Sequence, residues 1–238
     1  WKDGSIGERT ADFFYPISIT EKEKILEICR RIKPVAVTTI ASDLANITVH
    51  YLCKNLGLPS NSDHTLFVTT NKYAMRCELK NKGIKVPNFK EFTSKSTISA
   101  ESLKGFRYPL IIKPTDRSGS RGIFKVSNFT ELEEKIKISL DLSFEDKVIV
   151  EEFIEGNEYS CESISFNGKH QILAITKKYT TGSPNFIETG HVEPSDLSPD
   201  MVVRVKDFVC KILDALNIQT GPAHTEFKIN NNEIEIIE

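Results

Sequence analysis

Tyr108-Pro-Leu-Ile-Ile-Lys-Pro-Thr-Asp-Arg-Ser-Gly-Ser-Arg-Gly122 carries an apolar, strand-like run to Lys113 and follows it at once with a Ser/Gly-rich loop. Backbone N–H groups in such a loop can converge on one point and cradle phosphate oxygens, with the lysine as a point charge. The pattern is not that of a phosphate loop opening a helix, because no Gly-Lys-Ser/Thr follows. Nor is it a dinucleotide fingerprint, since Gly119 and Gly122 come after the lysine and lead into a strand. Taken alone, Lys113 reads more readily as a lysine snorkelling from a strand end, and the loop behind it shifts the balance.

Further along stands Val148-Ile-Val-Glu-Glu-Phe-Ile-Glu-Gly-Asn-Glu158. Two acids at the end of a buried strand need partners; an adenine amino group is one candidate and surface lysines are the other. Backbone groups of Glu152 and Ile154 would complete a purine edge, and Glu158 is placed for ribose hydroxyls. The last segment carries Glu226 and Glu238 on either side of Asn230-Asn-Asn232, a turn signal between two antiparallel strands. A three-residue turn puts both acids on one face. A two-residue turn pairs Phe227 with Ile236 and sends the acids to opposite faces, unless a bulge intervenes. Magnesium needs only one or two carboxylates plus phosphate oxygens, so this pair suffices.

Composition narrows the class. The 238 residues are 39% hydrophobic, enough for a sizeable core and one to three domains. A net charge of −2 gives no long-range field for nucleic acid or an anionic membrane. No apolar run approaches a membrane span. Five scattered cysteines without any CxxC read as reduced thiols, which predicts a cytoplasmic protein. The chain opens on Trp1, which predicts that an upstream segment exists.

The first part alternates helix and strand signals. Thr20 to Glu23 has the form of a capping box before a helix that Pro34 stops, Val35 to Ile40 is a β-branched run, and Asp43 to Leu56 is a helix closed by Gly57. A further helix runs from Asn71 or Lys72 to Lys82. Glu91 to Gly105 is polar and serine-rich, a linker. Strands are predicted at 109–113, 122–126, 147–153, 158–166 and 171–179, with a helix capped by Asn128 after the second of them. Ser198-Pro-Asp opens a helix to Leu216. Thr180 to Asp196 reads as a long functional loop, and it contains Glu188 and His191. No His-x-x-x-His or similar spacing suggests zinc.

In order along the chain, Asn71-Lys72, Lys113 with its loop, Glu151 to Glu158 and the Glu226/Glu238 hairpin resemble the motifs of the ATP-grasp superfamily. The likeness runs from Ala11-Asp-Phe-Phe-Tyr15 onward. Residues 35–60 are similar to the pre-ATP-grasp domain of carbamoyl phosphate synthetase and biotin carboxylase relatives. Ile187-Glu-Thr-Gly-His191 and Gly221-Pro-Ala-His-Thr-Glu226 look closest to the L-amino acid ligase branch.

The resemblance implies an α/β and α+β fold with a partial Rossmann-like domain at 1–70. It further implies a linking helix and strand at 71–98, a lid subdomain at 99–150 and a core subdomain at 151–238. It implies ATP held by Lys72, Lys113, the Ser118-Gly119-Ser120 loop, Glu151, Glu152, Ile154 and Glu158. Mg2+ or Mn2+ would sit on Glu226 and Glu238, and Glu188 and His191 would line the acceptor pocket. The implied activity is ATP-dependent ligation of a small carboxylate to an amine through an acyl phosphate, with a homodimer as one assembly. Carboxyphosphate chemistry and a nucleotide-binding scaffold without turnover are the alternatives. The family's asparagine ligand and acyl-phosphate arginine do not follow Glu238, which leads to the expectation of a fragment of a longer chain.

Overall fold

The computed structural model describes residues 4–39 and 42–238. They form two compact units, residues 1–62 and 63–238.

Among its described residues the first unit is helical. It contains α1 (Ile6–Thr10), α2 (Lys22–Ile32) and α3 (Asp43–Leu56). Ser42 caps α3, and Gly57 ends it in the left-handed conformation, as the sequence predicts. Leu26, Cys29 and Leu52 form its small core. Two expectations fail here. The Thr20–Glu23 box does not form: Glu21 is the N-cap of α2, and its carboxylate accepts from the Ser18 N–H at 3.1 Å. Residues 35–39 make no strand, and Ile40 lies outside the described residues. A parallel strand needs neighbours, and the described part of this unit offers none; Val35 is 91% exposed.

The second unit opens with α4 (Asp63–Thr70), which sequence reading misses, and α5 (Lys72–Asn81), capped by Asn71. One antiparallel sheet has the order β1-β4-β2-β3, from β1 (Phe89–Thr93), β2 (Leu110–Pro114), β3 (Phe124–Val126) and β4 (Lys147–Glu152). β1 corrects the linker expectation, since Phe89 to Thr93 pair with Glu151 to Lys147. Helix α6 (Phe129–Leu142), capped by Asn128, covers one face with Leu132 and Ile136 above Ile112, Val148 and Val150. Strand alternation turns Lys113 and Glu151 to the other face.

The other sheet has the order β7-β6-β5-β8-β9. Its strands are β5 (Asn157–Phe166), β6 (Lys169–Thr180), β7 (Glu188–Val192), β8 (Thr220–Asn230) and β9 (Glu233–Ile236). Between β7 and β8 runs α7 (Pro199–Ala215), with Ser198 as N-cap and Pro199 in its first turn. Val205, Val209 and Ile212 of α7 pack with Tyr159, Cys161 and Phe227, and Leu79 and Met75 of α5 join the same core. The opposite face of this sheet is therefore the one left for polar side chains.

Candidate active site

That face is assembled by register. Glu158 stands directly opposite Lys178 on β6 and Lys228 on β8, and Glu162 stands opposite His224. His191 pairs with Lys178 and Glu188 with Thr180, so β7 brings these two residues to the same side. Glu188 and His191 were expected in a loop. They lie instead on an edge strand, which pairs through its backbone while leaving its side chains exposed.

The hairpin places the two metal candidates together. Its turn has two residues, Asn231 and Asn232, both at positive φ (48° and 66°), the backbone that suits a tight hairpin. Phe227 pairs with Ile236, which alone would send Glu226 and Glu238 to opposite faces. A β-bulge reverses that outcome. The N–H groups of Ile237 and Glu238 both donate to the Glu226 carbonyl, at 2.7 and 3.1 Å, and the Glu226 N–H donates to the Glu238 carbonyl at 2.6 Å. Two residues thus oppose one, and both acids end on one side.

Lys178 is the centre of the cluster. Its Nζ contacts Glu226, lies 2.7 Å from Glu188 and 3.6 Å from Glu158, and its side chain is 2% exposed. Three expected site residues, for ribose, acceptor and metal, therefore meet on one lysine that sequence reading passes over. Burial opposes its charge, but Glu226, Glu188 and Glu158 outweigh that and raise its pKa. Glu226 is also approached by His224 Nε2 at 3.3 Å, while His224 Nδ1 is 2.6 Å from Glu162. Burial pushes the Glu226 carboxyl up, yet His224 and Lys178 hold it at about 2. Held between two carboxylates, His224 is raised to about 10.

On the four-stranded sheet, Lys113 and Glu151 are almost wholly enclosed and 2.6 Å apart. Arg76 of α5 meets the same carboxylate through Nε at 2.7 Å and Nη2 at 3.2 Å, and Nη2 also donates to the Ile237 carbonyl at 2.9 Å. Burial raises the Glu151 pKa, but Arg76 and then Lys113 pull it down to about 2. Both carboxylate oxygens of Glu151 are thus engaged inside the protein. Glu152 turns the other way, and its carboxylate accepts from Asn88 Nδ2, the Arg107 N–H and Arg107 Nη2, each at 2.9 Å. The Glu152 N–H donates to the Asn88 carbonyl at 3.0 Å, and the Ile154 carbonyl accepts from Lys228 at 3.0 Å.

Lys72, first residue of α5, is buried. Its Nζ donates to the Arg117 carbonyl at 2.8 Å and to Glu238 at 2.5 Å, tying the Ser/Gly loop to the bulge. In the loop itself, Gly119 and Ser120 have positive φ, and Ser118, Gly119 and Ser120 are exposed. Ser120 Oγ donates to the Phe186 carbonyl at 3.2 Å, which joins this loop to the segment before β7.

The residues suit a nucleotide triphosphate with a divalent cation. Lysines come from both sheets, and burial, with Lys113 and Lys125, lowers the pKa of Lys228 against the opposing pull of Glu158 and Glu155. Among the described residues no group of three or more His, Cys, Asp or Glu could hold a metal on protein ligands alone. Glu226 and Glu238 therefore fit a cation that takes its other ligands from phosphate oxygens. Sequence reading misses Arg76, Lys178, Glu162 and Lys228. Arg76 had one visible signal: it lies four residues after Lys72, so both fall on one face of the helix.

The comparisons give this pair of antiparallel sheets a family. A family model for the ATP-grasp domain matches residues 106–238, more than half of the chain, which belongs to that family. An uncharacterised protein of Sinorhizobium fredii, y4rH, is 26% identical over 82% of this chain and 40% of its own length. D-alanine–D-alanine ligase of Lacticaseibacillus casei is 29% identical over 72% of this chain and 48% of its own. The structure of an L-amino acid ligase from Bacillus licheniformis superposes with a TM-score of 0.77 at 26% identity, over 94% of this chain and 54% of that one. The chain thus spans about half or less of these relatives. Among the described residues no helix is long and apolar enough to cross a membrane.

Proposed function

We propose that this chain supplies the nucleotide-binding part of an ATP- and magnesium-dependent carboxylate–amine ligase working through an acyl phosphate. The observation that carries the reading is the convergence of Glu158, Glu188 and Glu226 on Lys178, on a face that Lys113 overlooks from the other sheet. The relatives support the reaction class: two of them are named as ligases of amino acids.

In this reading the base lies against the backbone of Glu152 and Ile154, and Glu158 takes the ribose hydroxyls. Lys113, Lys178 and Lys72 face the phosphates, and the Ser118–Ser120 loop closes over them. Glu226 and Glu238 hold magnesium, which would neutralise phosphate charge when bound with the nucleotide. Lys178 and Lys72 now neutralise those acids, and they are placed to turn to phosphate oxygens once the cation takes over. Positioning and charge neutralisation are most of what phosphoryl transfer requires. Glu188 and His191 lie 3.3 Å apart, the acid set to meet the ammonium group of an amino acid substrate. The four-stranded sheet acts as the lid and the five-stranded sheet as the core. A cytoplasmic setting and a small-molecule carboxylate and amine complete the proposal.

The test is ADP release by the full-length protein with amino acids, small carboxylates and bicarbonate as acceptors. ADP release with a carboxylate and an amine, abolished in Glu226→Gln, is the expected result. Glu188→Gln should raise KM for the amino acid strongly and KM for ATP little. ADP release with bicarbonate alone, insensitive to Glu188→Gln, selects carboxyphosphate chemistry. ATP binding without turnover on any acceptor selects a scaffold.

A further inference from the structure

Five lysines gather at this site, and four are matched by acids, Lys125 by Glu155 at 3.6 Å. Lys72 meets Glu238, Lys113 meets Glu151, and Lys178 meets Glu226 and Glu188. Lys228 is different. Its Nζ donates to the Ile154 carbonyl at 3.0 Å and lies 4.3 Å above the Phe153 ring. Among the described residues no carboxylate lies within ion-pair distance of it; Glu158 and Glu155 act on its charge only from beyond that distance. An ammonium in a half-buried position is strongly favoured by a facing anion, and a carbonyl and a ring face supply only partial charge.

The position says which anion. Lys228 sits directly opposite Glu158 on the neighbouring strand and two residues after the bulge partner Glu226 on its own strand, all on one face. Residues two apart on a strand are about 7 Å apart. A nucleotide with its base at Ile154, its ribose at Glu158 and its terminal phosphates at Glu226 would bring the phosphate nearest the ribose to Lys228. Lys125, whose Nζ lies 3.8 Å from the Phe153 ring centroid on its other approach, adds positive potential at the same place.

We propose that Lys228 is a nucleotide ligand that bonds the α-phosphate, a contact that rests on the ATP reading above. Its Nζ keeps the bond to Ile154 and gives a second proton to the phosphate, so one side chain ties the hinge after β4 to the nucleotide.

The test is calorimetric binding of adenosine, AMP, ADP and ATP to the full chain and to Lys228→Met and Lys228→Arg. Methionine matches the lysine stem and removes the charge, so thermal unfolding of Lys228→Met should occur at or above the wild-type temperature. Affinity for AMP, ADP and ATP should each fall about tenfold or more in Lys228→Met, with adenosine changed less than about twofold. Lys228→Arg should recover part of the loss. AMP affinity unchanged in the folded methionine variant, or adenosine weakened as much as AMP, overturns the proposal. A wild-type chain that binds none of the four overturns the ATP reading itself, a separate outcome.

Discussion

A carboxylate as deeply enclosed as that of Glu151 survives in its charged form only because Arg76 and Lys113 meet it from two sides. Glu151→Gln should leave both cations short of a partner and cost about 3–5 kcal/mol in urea unfolding. The pH dependence has a definite sign. A folded pKa near 2 against an ordinary 4.5 means that this stabilisation is complete above about pH 4.5 and is lost as pH falls through 2. Unfolding midpoints should therefore decline from pH 5 towards pH 2, with a shallower decline in Glu151→Gln; parallel declines would contradict the pairing. Lys113 was visible from sequence because an apolar strand led to it. The purpose of Glu151 was not, since Arg76 lies 75 residues away and nothing local links them.

Strands written as alternating or continuous apolar runs, such as β2, β4 and β6, were legible, and so were the helices α3, α5, α6 and α7. β7 was not. Glu188-Thr-Gly-His-Val192 has no apolar period because an exposed edge strand buries no face. The bulge was equally hidden, since it is a backbone arrangement that any residues at 237 and 238 could adopt. Gly156, which joins β4 to β5, marks a third such feature. Its φ is +120°, and a methyl group there would come within 2.5 Å of the Ile229 carbonyl oxygen. Backbone against backbone cannot yield as a side-chain tip would. Gly156→Ala should destabilise by about 1–3 kcal/mol or more, read as a lower thermal midpoint, and should weaken ATP binding by shifting Ile154. A variant with wild-type stability would show that the hinge relaxes freely.

The molecule divides after Ser62, and every residue assigned here to nucleotide, metal or acceptor falls in the unit from Asp63 onward. Residues 63–238 expressed alone should unfold in one cooperative transition and bind ATP within a few-fold of the full chain. A nucleotide affinity lost on removing residues 1–62 would show that the first unit contributes to the site. The most direct measurement is a calorimetric titration of ATP with magnesium into the full chain and into Lys113→Ala. The account predicts one site, with the variant weaker by about 1.5–3 kcal/mol, the usual loss for a charge-assisted contact. Equal affinity in the two proteins, or no binding to the wild type, would contradict it.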